Sequence, residues 1–228
     1  MSPNDKLIDT DILVIGSGIA GLSFALKASS LGKVLVISKS SVQKGSTELA
    51  QGGIASVQSP ADSVEQHIAD TLNVGYGLAR EDVVRSVVEY GIRAARELVD
   101  LGVPLDTEPG LPDKLALGLE GGHSRKRIIH VADATGRAVE EAYIAAVKRN
   151  PNIELLPDHC AIDLLTQHNL PVEHPLQKTP VCCWGAYVLD ENRSLVRTVR
   201  SKITLLATGG GGRLYLHTTN PDVSTADG

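Results

Sequence analysis

Asp11-Ile-Leu-Val-Ile-Gly16-Ser-Gly18-Ile-Ala-Gly21-Leu-Ser-Phe-Ala-Leu26 reads as a strand, a tight turn and a helix in direct succession. Ile12 to Ile15 form a short, β-branched, unbroken apolar run, the pattern of a parallel strand covered on both faces. In a G-x-G-x-x-G turn the first glycine, Gly16, permits the sharp reversal. The second, Gly18, lets backbone approach a pyrophosphate, and the third, Gly21, lets the helix pack closely on the strand. The helix start at Ser17, Ile19 and Ala20 then offers unpaired N–H groups and a positive dipole end to phosphate. Three glycines alone are weak evidence of a nucleotide site. A strand before them and an apolar helix after them supply the context that strengthens it. The alternative is a plain strand–turn–helix connection.

The 228 residues suffice for a substantial core, as one large domain or somewhat more. A net charge of −5 and 3% aromatic residues argue against a nucleic-acid partner, which usually calls for a basic face or stacking aromatics. No apolar run is long enough to cross a bilayer, and the polar start Met1-Ser-Pro-Asn-Asp-Lys6 lacks a signal-peptide core, so no membrane partner and a cytosolic location are expected. Cys160, Cys182 and Cys183 show neither a disulfide framework nor a zinc spacing. They read as small apolar fillers in a reduced protein, and no metal is expected; the adjacent pair leaves a redox role open.

Beyond the first helix, Lys33-Val-Leu-Val-Ile-Ser38 reads as a second strand. A NAD-type unit would end this strand on Asp or Glu to hold ribose hydroxyls. Ser38-Lys39 stands there instead, which suits a nucleotide whose adenosine end is held differently. Next comes Gly45-Ser-Thr-Glu-Leu-Ala-Gln51-Gly-Gly53-Ile-Ala-Ser, rich in small residues and hydroxyls. It is either a surface loop or a set of donors around a cofactor. Its place after the second strand favours the donors, because ligands collect at that end of such sheets.

Residues 62–74 predict a helix with Asp62 as N-cap and Glu65 in a capping-box position. Residues 81–101 predict a longer one, with Val84, Val87, Val88, Ala95, Leu98 and Val99 as its apolar stripe and Gly102 as its stop. Leu105 to Leu119, with two prolines and two glycines, reads as a surface excursion. The stretch Glu120-Gly-Gly-His123-Ser-Arg-Lys-Arg127-Ile-Ile-His130-Val-Ala-Asp133-Ala-Thr-Gly136 concentrates charge and imidazole around flexible glycines. Arg125-Lys126-Arg127 reads as a solvated face. Glu120 is either a solvated loop residue or a carboxylate aimed at an ammonium group. A helix is expected from Thr135 to Arg149.

The remainder is β-rich. Strands are expected at Ile153–Leu156 and Ala161–Thr166, then an irregular link from His168 to Pro180, then a hairpin of Trp184–Leu189 and Leu195–Arg200. Ser201-Lys-Ile-Thr-Leu-Leu-Ala207-Thr208-Gly209 reads as a returning parallel strand whose end, Ala207 to Gly209, would lie beside the first glycine turn and close over the same nucleotide. Thr218 to Gly228 reads as a polar lead-in to a further helix.

Four blocks together resemble the FAD-containing flavoproteins of the fumarate reductase and succinate dehydrogenase group, and within it the L-aspartate oxidases. They are Asp11 to Leu22, Gly45 to Ala55, Glu120 to Gly136, and Thr218 to Gly228, the third being the most specific. The resemblance implies an α/β fold: a Rossmann-like FAD-binding core with a parallel sheet, helices and a β-meander. It implies that residues 1–228 are the FAD-binding portion, with the capping domain downstream. By resemblance Ser17 to Ala20, Lys39, Asp227 and the run Ser46, Thr47, Glu48, Leu49, Ala50, Gln51, Gly52 and Gly53 would contact FAD. Glu120 would orient the substrate's amino group. Relatives with covalent flavin carry histidine in the second block; Ser46 stands there here, so the FAD should be non-covalent.

The implied chemistry is oxidation of L-aspartate to iminoaspartate, the first step towards quinolinate and NAD, with hydride passing to the flavin and oxygen or fumarate as acceptor. The family's principal substrate-binding arginines and histidines lie downstream, so this chain alone is expected to be inactive. Apolar surface left uncovered would favour oligomers. A soluble fumarate reductase or succinate dehydrogenase flavoprotein, a non-catalytic FAD-binding fragment and a generic NAD(P)-binding domain remain as alternatives.

Overall fold

The computed structural model describes residues 6–228; the rest of the polar start, residues 1–5, lies outside the described residues. In chain order the elements are β1 (Leu7–Asp9), β2 (Ile12–Ile15), α1 (Ile19–Ala28), β3 (Val34–Ile37), β4 (Ile54–Ala55), α2 (Val64–Val74) and α3 (Glu81–Asp100). There follow β5 (Thr107–Glu108), β6 (Leu111–Leu115), β7 (Ile128–Ile129), α4 (Thr135–Arg149) and β8 (Ile153–Leu156). The chain then forms β9 (His159–Thr166), β10 (Cys183–Asp190), β11 (Leu195–Arg200) and β12 (Ile203–Leu206). Two compact units result: residues 1–48 with 143–228, and residues 49–142.

The first unit is built on a parallel sheet in the order β12-β2-β3-β8. Ile12 pairs with Val34 on one side and Ile203 on the other, and Val34 pairs with Ile153. All four residues of β2 and all four of β3 are buried, as their unbroken apolar runs require. Because side chains alternate across a strand, these residues divide between two cores. Ile12, Val14, Val34 and Val36 pack with Ala25 and Ala28 of α1. Leu13, Ile15, Leu35 and Ile37 pack with Ala186, Val188 and Val199 of a second sheet. That sheet is the β9-β10-β11 antiparallel meander, with β1 added parallel to β11. The layering is therefore helix, parallel sheet, meander.

Connections follow local signals. Asn150 and Asn152 side chains donate to Ser29 Oγ and O at 2.9 and 3.0 Å, tying the turn before β8 to the end of α1. The link between β9 and β10 is irregular, as its three prolines dictate, with short 3-10 turns at Gln167–Asn169 and Pro175–Lys178. Gln167, at the start of the link, is buried and its side chain ties that start to the far end. Its amide nitrogen donates to Pro180 O at 2.8 Å, and its side-chain oxygen accepts from Cys182 N at 2.9 Å.

In the second unit α2 packs on α3, β4 pairs antiparallel with β7, and β5 pairs with β6. Several expectations are corrected here. The N-cap of α2 is Ser63, whose hydroxyl accepts from Gln66 N at 3.1 Å. Asp62 does not cap, because Arg127 engages its carboxylate. Only Val88, Ala95 and Leu98 of the α3 stripe are buried; Val87 is 65% exposed and Val99 49%. The excursion from Leu105 to Leu119 contains the β5–β6 hairpin, turned at Gly110. Arg127 is wholly buried, so it departs from the solvated face to which Arg125 and Lys126 belong. Cys182 is exposed and so is no core filler.

Candidate functional site

A cavity of about 560 Å³ opens at the carboxyl ends of β12, β2 and β3 in the first unit. β3 follows β2 on one side and β12 returns on the other, so the crevice lies where the strand order reverses. Open α/β sheets bind their ligands at such points. Its size falls within the range of small-molecule pockets.

Gly16 adopts φ +116°, and a Cβ there would collide with the Ala207 carbonyl. Only glycine lets the turn pass so close to the returning strand, where Ala207 N donates to Ile15 O at 2.8 Å. The helix α1 begins at Gly18, which brings no capping side chain. Among the described residues its first amide, Ile19 N, meets only the Thr47 hydroxyl, at 3.3 Å. A helix start whose donors lack a cap of their own and face a cavity is a ready anion site. Behind it, Ser17 is buried; its hydroxyl donates to Val42 O at 3.0 Å and lies 3.0 Å from Ser38 Oγ, fixing the turn to the end of β3.

Lys39, just past β3, pairs with Asp227, and Thr225 donates to the same aspartate at 2.7 Å. The Lys39 hydrogen bond, followed by that of Thr225, holds the Asp227 carboxyl below the usual carboxylate range. Ser46 reaches Asn220 Oδ1 at 3.3 Å and lies 3.2 Å from Ser224 Oγ. Through these bonds residues 220–227 fold back along the cavity. From β9, Cys160 to Leu164 form another wall. Burial, then the charge of Asp227, pushes the Cys160 thiol up, so it is a protonated wall rather than a nucleophile.

Gly16, Ser17, Gly18, Ile19, Ala20, Lys39, Ser46, Thr47, Ala207, Thr208, Gly209 and Asp227 all line this cavity. Gly21 is buried one helical turn on, against the Gly16 carbonyl. Glu48 is not part of the wall. Leu49 to Gly53 and Glu120 belong to the second unit. There Gly53 packs on Ile128 and Ile129, and a Cβ on Gly52 would lie 3.8 Å from Glu120 Oε1, so the second and third blocks meet. Ala50 O accepts from Gly136 N at 2.9 Å.

The β9 wall, Lys44 and Ser224 were missed in sequence. Ser224 lay within a quoted block, but the β9 residues carry no local signal because the meander's packing alone places them. Among the described residues no cluster of three or more His, Cys, Asp or Glu could hold a metal, and no helix is long and apolar enough to cross a membrane. The donors present fit a dinucleotide: an uncapped helix start for a pyrophosphate, with hydroxyls, a lysine and a carboxylate around it.

A family model described as FAD binding domain matches residues 11–228. The chain is 44% identical over 223 residues to the L-aspartate oxidase of Pseudomonas aeruginosa, covering 96% of this chain and 40% of that protein. It is 43% identical over 218 residues to the chloroplastic L-aspartate oxidase of Arabidopsis thaliana, covering 96% of this chain and 32% of that protein. Among solved structures, E. coli quinol fumarate reductase superposes with a TM-score of 0.83 at 26% identity, covering 96% of this chain and 36% of that one. The Mycobacterium smegmatis Sdh1 complex gives 0.84 at 23% identity, covering 98% and 38%, which shows a shared fold.

Proposed function

The chain belongs to the FAD binding domain family, with FAD as its cofactor, and from that premise we propose that it is the FAD-binding portion of an enzyme oxidising L-aspartate to iminoaspartate. The observation that carries the binding role is the uncapped start of α1 set in a cavity at the strand ends. The choice of aspartate leans on likeness to the aspartate oxidases. The chain spans about 40% of the length of the bacterial relatives it matches.

FAD, when bound, supplies the two-electron acceptor that the side chains lack. The amides at Gly18 to Ala20 would bind its pyrophosphate. Ser46, Thr47, Lys39 and Asp227 would hold and orient the rest, aided by backbone from Ala207 to Gly209. Ser46, in place of a histidine, leaves the cofactor non-covalent. Glu120, an exposed carboxylate, would meet the substrate's ammonium group and fix which face it presents. The two substrate carboxylates would need cationic anchors. Alone, the chain is inactive. In the complete enzyme oxygen or fumarate would reoxidise the cofactor, in the cytosol, on the route to quinolinate.

Anaerobic addition of L-aspartate to the full-length, FAD-loaded protein tests the substrate. Bleaching of the visible flavin bands by aspartate and not by succinate is expected. Bleaching by succinate alone would favour a soluble fumarate reductase or succinate dehydrogenase, which the likeness to quinol fumarate reductase keeps as the second reading.

A further inference from the structure

Glu120 sits on a loop whose shape is fixed from within the second unit. Its neck is an antiparallel bridge between Gly118 and Ile128, with Gly118 N donating to Ile128 O at 2.8 Å and Arg127 N to Gly118 O at 3.0 Å. Inside the neck, Asp70 of α2 takes three donors on one oxygen, Oδ2. They are Ser124 N at 2.8 Å, Ser124 Oγ at 2.8 Å and Arg127 Nη1 at 2.7 Å. Arg127 also grips Asp62 through Nε and Nη2, at 2.8 Å each, and none of its side chain is exposed. Gly122, at φ +84°, presses on Val74 at the end of α2, where a Cβ would come within 2.6 Å of Val74 Cγ1. His123 N closes the tip by donating to Glu120 O at 3.2 Å.

Burying such a charge cluster brings little net stability over apolar packing, so its presence calls for a role in geometry. We propose that Asp70 and Arg127 are positioning residues for Glu120, acting through Ser124 to hold the loop tip where its carboxylate meets the substrate's ammonium group. The inference rests on the substrate role given to Glu120 above. A carboxylate on an untethered glycine loop would have to be ordered at each binding event, and that cost would fall on substrate affinity. Prefixing the loop removes it.

The test is a cycle in the full-length, FAD-loaded enzyme, following kcat and KM for L-aspartate with FAD affinity as control. Glu120→Gln should raise KM about tenfold or more with FAD affinity unchanged. Ser124→Ala, which removes one loop anchor at an exposed position, should raise KM roughly threefold with kcat and FAD affinity unchanged, and Asp70→Asn should raise it further. The double variant Glu120→Gln with Ser124→Ala should be no worse than Glu120→Gln alone, since the anchor acts only through Glu120. If Ser124→Ala leaves KM unchanged where Glu120→Gln raises it, or if the two losses multiply, the positioning role is overturned. A wild-type KM in Glu120→Gln would overturn the substrate role itself. Should Asp70→Asn fail to fold, Ser124→Ala decides alone.

Discussion

Single positions shape the cavity at the strand ends because the backbone there leaves no latitude. Gly16→Ala would need an L side chain at φ +116° and would drive it into the Ala207 carbonyl. Flavin titration of that variant should show affinity lowered at least about tenfold, if it folds; unchanged affinity would place the flavin elsewhere. His67 is the second informative position. It is buried, and burial, followed by the positive charge of Arg127 and by His123, lowers its pKa from the ordinary value. In the unfolded chain it titrates near 6.5, so on acidification the unfolded state takes up the proton first. Stability is therefore lost as pH falls from about 6.5 towards the lower native value. Thermal unfolding between pH 7 and 5 should show Tm dropping more in wild type than in His67→Gln. Equal slopes would refute it.

Elements show where local sequence suffices. β2, the glycine turn and α1 follow from a contiguous pattern, and the structure forms them in that order, with β2 at Ile12–Ile15 as expected. The start of α2 differs, because two adjacent residues could both cap it. Ser63 takes the role, while Asp62 is drawn off by an arginine 65 residues later in the chain. No window on the sequence contains that partner. Ser63→Ala should accordingly lower stability by about 1 kcal/mol in a denaturant titration. A loss near zero would mean that the helix start is held by tertiary packing. The α3 stripe was misread for a related reason: apolar periodicity marks a face, but Val87 and Val99 remain exposed on it.

Across the molecule, each layer is fixed by alternation in β2 and β3, whose odd and even residues feed different cores. Leu35 is 1% exposed and packs against the meander, so Leu35→Ala should cost about 2–5 kcal/mol; a calorimetric loss under 1 kcal/mol would contradict this core. The glycine-turn end of the cavity was legible because glycine turns and helix starts are local. The wall from Cys160 to Leu164 was not, because β9 reaches it through the register of the meander, including its irregularities against β10. The same holds for Arg127, which is buried among carboxylates although Arg125 and Lys126 just before it are exposed.

Equilibrium titration of the purified protein with FAD, read by flavin fluorescence and followed by acid precipitation, addresses the cavity at the strand ends directly. Saturable one-to-one uptake is expected, with all the flavin released to the supernatant. No uptake at all, or flavin carried down covalently with the precipitate, would contradict a non-covalent FAD site built on the Gly16–Ala20 turn.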